Sequence, residues 1–281
     1  MDLSYRTEQS AKAISAFWGK PINKEPAHNI NALSGETTEI FIFDVLGFPF
    51  NDINEIVKDI HGIKSEEIHL MLSSPGGDVI DCFALYQALK NHKAKVTIRI
   101  EALAASAAGI VAMAGDIVEA YSTSLFMMHN AWAFTAGNQY ELIALSNVLK
   151  KIDSSMVDIY HAKSNLGKRE IIAMMKEETW FNAKEANGNG LVDKIIETGK
   201  PVNANFDLSV FANCPDEFKA VIEPIEKNLT EREIEKALRD AGLSRTKAKS
   251  LLAGCQQPNG EVDVEDAIAT GKLFTLISRS I

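Results

Sequence analysis

A serine hydroxyl is a weak nucleophile at neutral pH. It needs a base to take its proton and amide donors to hold the oxyanion that forms. This chain carries candidates for each in a workable order: LSSPGGDV ends on the glycines Gly76 and Gly77, EALAASAAG presents Ser106, and FMMHN presents His129. The order proposes Ser106 as nucleophile and His129 as base, with bare amides in the glycine turn open to a substrate carbonyl. Taken alone, SPGG is ordinarily a turn, a serine among alanines packs a helix, and a histidine after an apolar run is structural. The ordered combination is far more specific than its parts.

The flanking segments supply elements that would position these residues. EIHLML reads as a strand leading into the SPGG turn, and KVTIRIEAL reads as a second strand. The small residues AASAAG then carry Ser106 into an apolar helix, near the free amides of its first turn. DIVEAYSTSLFMMHN reads as strand, turn and strand, and delivers His129. Upstream, TEIFIFDVLG looks like a first strand from Thr38, and NDINEIVKDIHGI has amphipathic helical spacing. The alternation predicts an α/β layered core with parallel pairing. Residues 137–165 carry Leu142, Leu145, Leu149, Ile152, Met156 and Ile159 at helical spacing, which predicts one long helix. His161 near its end reads as a favourable C-terminal cation, and Lys150 and Lys151 as a solvated face.

Composition sets limits on function. At 281 residues and 46% hydrophobic, the chain has enough material for one sizeable core and an extra module. A formal net charge of -9 argues against a whole-chain nucleic-acid binder or a protein held by charge on anionic membrane. Cys82, Cys214 and Cys255 are odd in number, widely spaced and without a CxxC pair, which fits a reducing compartment and no structural zinc. MDLSYRTEQSAK has no apolar signal core, and the uncharged stretch from Ala102 to Gly115 is too short to span a bilayer. The expectation is a cytoplasmic protein with no cofactor, no metal and no membrane contact. No GxxxxGK[ST] appears, so any ATP hydrolysis would come from another chain.

At Ser74-Pro75-Gly76-Gly77, Ala104-Ala105-Ser106 with Gly109, Met127-Met128-His129 and EETWFNAKEANGNGLVD, the chain resembles the Clp-type serine peptidases, and more closely their phage and prophage relatives that act in head maturation. The resemblance covers roughly residues 35 to 197. It implies a Clp/crotonase-like layered fold of repeated ββα units, with Ser106 as nucleophile and His129 as general base. It also implies an oxyanion hole of the Gly77 and Ala107 amides, and a substrate-binding turn of Ser74, Pro75 and Gly76. The family places an aspartate where this chain has Glu178. Glutamate can accept from an imidazole N–H and fix its tautomer but is one methylene longer, so Glu177 and Asp193 stay open as rivals. The long helix corresponds to one that makes contacts between rings in Clp-type peptidases, implying a homo-oligomeric ring. The substrate implied is protein or peptide, with capsid or scaffold protein in the phage-like case and an external ATPase unfoldase as a further partner in the general Clp-type case. Self-cleavage beyond about residue 200 belongs to the same expectation.

The domain reading is an N-terminal arm over 1–34, a peptidase domain over 35–199, a linker over 200–227 and a helical C-terminal extension over 228–281. In the last, LTEREIEKALRDAGLSRTKAKSLLAG holds a Thr230 to Glu233 capping box, a helix ending at Gly242, a second cap at Ser244 and a helix ending at Gly254. Arg245, Lys247 and Lys249 evoke a DNA-binding element, but no further basic cluster supports one, and the segment resembles the terminal region of head-maturation proteins that engages assembly components. Two readings compete with a serine endopeptidase. One is a crotonase-like acyl-CoA enzyme, which would use carboxylates in place of the Ser and His pair; the other is a non-catalytic assembly protein on the same fold.

Overall fold

The computed structural model describes residues 8–18, 28–33, 36–135, 137–197, 208 and 210–215. The expected helical pair over residues 229–254 lies outside them. The chain divides into two compact units. One comprises Met1–Ala131 with Lys150–Ile222, and the other Trp132–Leu149 with Glu223–Ile281.

The first unit is a mixed α/β structure whose sheet is mostly parallel, as expected. Its strands are β1 (His28–Leu33), β2 (Thr37–Ile42), β3 (Glu67–Ser74), β4 (Lys95–Ala105), β5 (Ile117–Tyr121), β6 (Leu125–Met128), β7 (Thr179–Asn182) and β8 (Lys194–Ile196). The main sheet runs β1-β2-β3-β4-β5-β8, with β6 joined to β4 and β7 joined to β6. Among the described residues, only β1–β2 and β6–β7 pair antiparallel. Within the stretch read as an N-terminal arm, β1 adds an edge strand and helix α1 (Glu8–Phe17) forms.

The helices α2 (Ile53–Gly62), α3 (Val79–Lys90) and α4 (Ala107–Ala112) follow β2, β3 and β4. Each of the first two begins at an aspartate whose carboxylate accepts amides of the first turn: Asp52 from Asn54 N, and Asp78 from Ile80 N and Asp81 N. Their apolar faces bury Ile53, Ile56 and Ile60, and Cys82, Leu85 and Leu89, in one core with Ile68, Leu70, Leu72, Val96, Ile98 and Ile100 of the sheet. Along β3 and β4 burial alternates at first and then becomes continuous toward the C-terminal end. On β4 the reason is a second apolar cluster, in which Leu103, Ala105 and Met127 meet Trp18, Val45, Phe50, Leu208, Phe211 and Cys214. Part of the stretch read as linker is therefore packed against the core.

β4 is long enough to have two successive neighbours on one side. Thr97 to Ile100 pair with β5, and Leu103 to Ala105 pair with β6. That handover brings the C-terminal ends of β4 and β6 side by side. Helix α5 (Gln139–Lys163) is the long helix expected, with Met156, Val157 and Tyr160 buried. Helices α6 (Lys168–Lys176) and α7 (Ala183–Gly188) flank β7. No helix of the described residues is long and apolar enough to cross a membrane.

Candidate active site

Strand register by itself collects the site. Ala105 lies opposite Met127, so Ser106, one residue past β4, and His129, one residue past β6, emerge at the same edge of two adjacent parallel strands. Ser74 pairs with Ala104, which puts the Ser74-Pro75-Gly76-Gly77 turn on that edge as well. β7 runs back against β6 with Thr179 opposite Met128, so the residue preceding it, Glu178, faces His129.

Ser106 Oγ lies 2.6 Å from His129 Nε2. With the neutral imidazole protonated on Nδ1, the hydroxyl donates to Nε2, the geometry needed to move the serine proton as Oγ attacks. Ser106 sits at φ 55°, ψ −126°, a backbone conformation that L residues rarely adopt. It is held there by Ser106 N donating to Met127 O and Gly109 N donating to Ser106 O, both at 3.0 Å. The strain, about 1–3 kcal/mol for such a residue, turns the side chain toward His129 at the head of α4, a helix whose residues are all buried. Gly109 is required by packing, since a Cβ there would lie 2.9 Å from the Tyr160 hydroxyl.

The glycine turn is fixed by close backbone approach. Gly76 (φ 104°) and Gly77 (φ 151°) are left-handed, and a Cβ on Gly76 would stand 2.7 Å from Ser106 Cβ. A Cβ on Gly77 would overlap the backbone of Leu46, which brackets the turn by donating to Gly76 O (2.7 Å) and accepting from Asp78 N (2.8 Å). Ser74 is fully buried, and its Oγ accepts from Gly76 N at 3.1 Å, so it shapes the turn from beneath. Among the described residues, the amides of Gly77 and of Ala107 have no hydrogen-bond partner. They are the two amides expected to hold an oxyanion.

Three carboxylates were open for the third position. Glu178 Oε2 lies 4.0 Å from His129 Nδ1, beyond hydrogen-bond length but close enough for electrostatic contact. Glu178 is itself left-handed, at φ 51°. Asp193 is engaged elsewhere, its Oδ2 accepting from Val118 N and Lys163 Nζ, both at 2.7 Å. Glu177 is exposed at the end of α6. Burial pushes the His129 imidazole below its ordinary basicity, with Glu178 and then Asp153 opposing that shift.

Sequence reading missed several residues that build this site. Asp153 on α5 accepts from Asn130 Nδ2 (2.6 Å) and Ala131 N (2.8 Å), pinning the chain just after His129. Nothing in the helical spacing of α5 distinguishes Asp153 from an ordinary surface carboxylate. Phe211 stacks edge-on against His129 with ring centroids 5.7 Å apart, although it lies in a polar stretch that reads as linker.

A mostly parallel layered sheet, with a Ser and His pair and two free amides at one edge, defines an α/β protein of the Clp and crotonase architecture. Within that class the assignment is specific: residues 51–199 match the family model described as Clp protease, more than half of the chain, and the chain belongs to the Clp protease family. It is similar to the ATP-dependent Clp protease proteolytic subunit of Deinococcus radiodurans, with 29% identity over 134 residues, 47% of this chain and 66% of that protein. The corresponding protein of Oltmannsiellopsis viridis is 28% identical over 134 residues, 47% of this chain and 69% of the relative. The ATP-dependent Clp protease proteolytic subunit 1 of Protochlamydia amoebophila is 24% identical over 177 residues, 60% of this chain and 85% of the relative. The chain thus spans just under two thirds of the Deinococcus protein's length.

Proposed function

We propose that this protein is a serine endopeptidase that hydrolyses peptide bonds through an acyl-enzyme. The observation that carries the reading is the 2.6 Å contact between Ser106 Oγ and His129 Nε2, beside the unpartnered amides of Gly77 and Ala107. Ser106 Oγ attacks the scissile carbonyl carbon while its proton passes to His129 Nε2, and the two amides receive the negative charge on the carbonyl oxygen. His129 then gives the proton to the departing amine. Water repeats the sequence on the ester, returning its proton through His129 and freeing Ser106. Glu178 stabilises the imidazolium formed in each half. Ser74, Pro75 and Gly76 border the place where the substrate chain would lie.

The proposed substrate is protein or peptide, handled by a cytoplasmic homo-oligomeric ring. Capsid or scaffold protein is the substrate we infer from the resemblance to head-maturation relatives. A general Clp-type proteolytic subunit working with an external ATPase is equally compatible with family membership. The Ser and His contact weighs against a purely non-catalytic assembly role. The test is labelling by a fluorophosphonate, read as intact mass, and co-expression with a candidate capsid protein. Labelling at Ser106 that disappears in Ser106→Ala, together with cleavage of the capsid chain by the parent, supports both levels. Labelling without capsid cleavage keeps the peptidase and removes the capsid substrate; no labelling of the parent rejects the peptidase.

A further inference from the structure

Phe211, Ala212 and Asn213 lie beyond the stretch matched to the family, which ends at 199, yet they touch the site directly. Phe211 is buried among three rings, with centroids 5.6 Å from Trp180, 5.7 Å from His129 and 6.1 Å from Trp18, all edge-on. The next two backbone amides donate to the Glu178 carboxylate, Ala212 N to Oε2 at 3.1 Å and Asn213 N to Oε1 at 2.7 Å. Trp180 Nε1 gives Oε1 a further, longer contact of 3.3 Å. Asn213 Nδ2 donates to Glu177 O at 2.6 Å, tying the strap to the backbone beside the carboxylate.

We propose that residues 210–215 form a positioning strap for the active site, in which Phe211 seats on the His129 ring and the Ala212 and Asn213 amides hold the Glu178 carboxylate in front of Nδ1. The inference rests on the catalytic reading of Ser106 and His129 given above. A glutamate has one more torsion than the family's aspartate, and without partners its carboxylate would exchange among rotamers in water. Two charge-assisted bonds from backbone amides remove that freedom, and each is stronger than a neutral hydrogen bond. The strap thereby accommodates the extra methylene of Glu178. Its two amides act through the carboxylate, while the Phe211 ring packs edge-on against the imidazole itself.

The prediction is a coupling in the full-length chain, read as the rate of Ser106 acylation by a fluorophosphonate at a temperature where every variant is folded. Ala212→Pro deletes one of the two amide donors, and Phe211→Ala removes the anchor. Each should slow acylation about tenfold through lost alignment, while Phe211→Leu restores most of the rate. In a Glu178→Ala background Ala212→Pro should alter the rate less than about twofold, because the group its amide holds is gone, whereas Phe211→Ala should still slow acylation through its contact with the His129 ring. Parent-like rates in both strap variants, or an equal loss for Ala212→Pro with and without Glu178, would overturn the proposal. If Ala212→Pro fails to fold, Phe211→Ala and its leucine rescue decide alone. A parent chain that does not label at Ser106 rejects the peptidase reading and the strap's role with it; a parent that labels while the strap variants match it rejects the strap alone.

Discussion

The Glu178 carboxylate stands 4.0 Å from His129 Nδ1 while its two oxygens accept the amides of Ala212 and Asn213. Its effect on the imidazole is therefore that of a fixed charge. A hydrogen-bonded carboxylate would lock the tautomer as well. Replacing the charge with a neutral amide should cost less than the four orders of magnitude seen when a directly bonded triad carboxylate becomes an amide. Glu178→Gln is expected to lower kcat/KM on a peptide substrate by about ten- to a hundredfold, with KM little changed. A parent-like kcat/KM in that variant would remove Glu178 from the mechanism.

The pH profile follows from His129. Burial lowers its basicity, with Glu178 and Asp153 pulling the other way, and the net shift is downward. Acylation needs the neutral ring, so activity should hold at neutral pH and fall on the acid side with a midpoint below the ordinary value of about 6.5. The stability linkage has the same direction. The unfolded chain binds this proton more readily than the folded one, so the contribution of His129 is fully present above its unfolded pKa and is lost as pH falls through the depressed folded value. A pH–rate midpoint clearly above 6.5 contradicts the burial argument.

Much of the site was legible before the fold because it is local. SPGG, AAS and MMH each end a strand, and parallel neighbours that end together bring the following residues together. The pleat and register of β3, β4 and β6 do the rest. Glu178 was legible only through the resemblance to a family that places an aspartate at that position, and its distance from Nδ1 was not, since that depends on a partner some 34 residues later in the chain. Phe211 and Asp153 were hidden for the same reason. A phenylalanine in the run VNANFDLSVFANC has no periodicity to mark it as buried, and an aspartate on a long helix looks solvated until Asn130 and Ala131 fold onto it.

The glycine turn gives a stability prediction independent of activity. A Cβ at Gly77 would sit 1.9 Å from Leu46 O on a residue with φ 151°. Backbone faces backbone there, so no side chain can yield. Gly77→Ala should cost about 3 kcal/mol or more in unfolding free energy. Gly62 is the contrast: it ends α2, and a Cβ there meets nothing within 4 Å. Gly62→Ala should be neutral or stabilising by up to about 1 kcal/mol. Urea unfolding of the two variants beside the parent checks both, and equal midpoints for the two would refute the close-approach account.

Asp153 offers a way to loosen His129 without touching it. Its two oxygens hold Asn130 Nδ2 and Ala131 N, the side chain and backbone that immediately follow the base. Asp153→Ala removes both charge-assisted bonds, a loss of about 1.5–3 kcal/mol each at most. The loop then carries His129 away from Ser106 for part of the time. The expected result is a lower unfolding midpoint together with acylation slowed about tenfold by misalignment. Acylation at the parent rate would mean that the β6 register alone aims the imidazole.

Asp193 tests the choice among carboxylates from the opposite side. Its Oδ2 accepts from Val118 N and from Lys163 Nζ, both at 2.7 Å, linking the start of β8 to β5 and to the end of α5. These are structural contacts. Asp193→Ala leaves the Val118 amide without its acceptor and Lys163 without its counter-charge, so it should destabilise the fold by about 1–3 kcal/mol. The acylation rate of Ser106, measured where both proteins are folded, should stay within about twofold of the parent, because no contact of Asp193 reaches His129. A hundredfold loss of acylation in folded Asp193→Ala, with Glu178→Gln near parent, would transfer the orienting role to Asp193. The opposite pattern places it on Glu178, where the register of β6 and β7 sets a carboxylate before the imidazole.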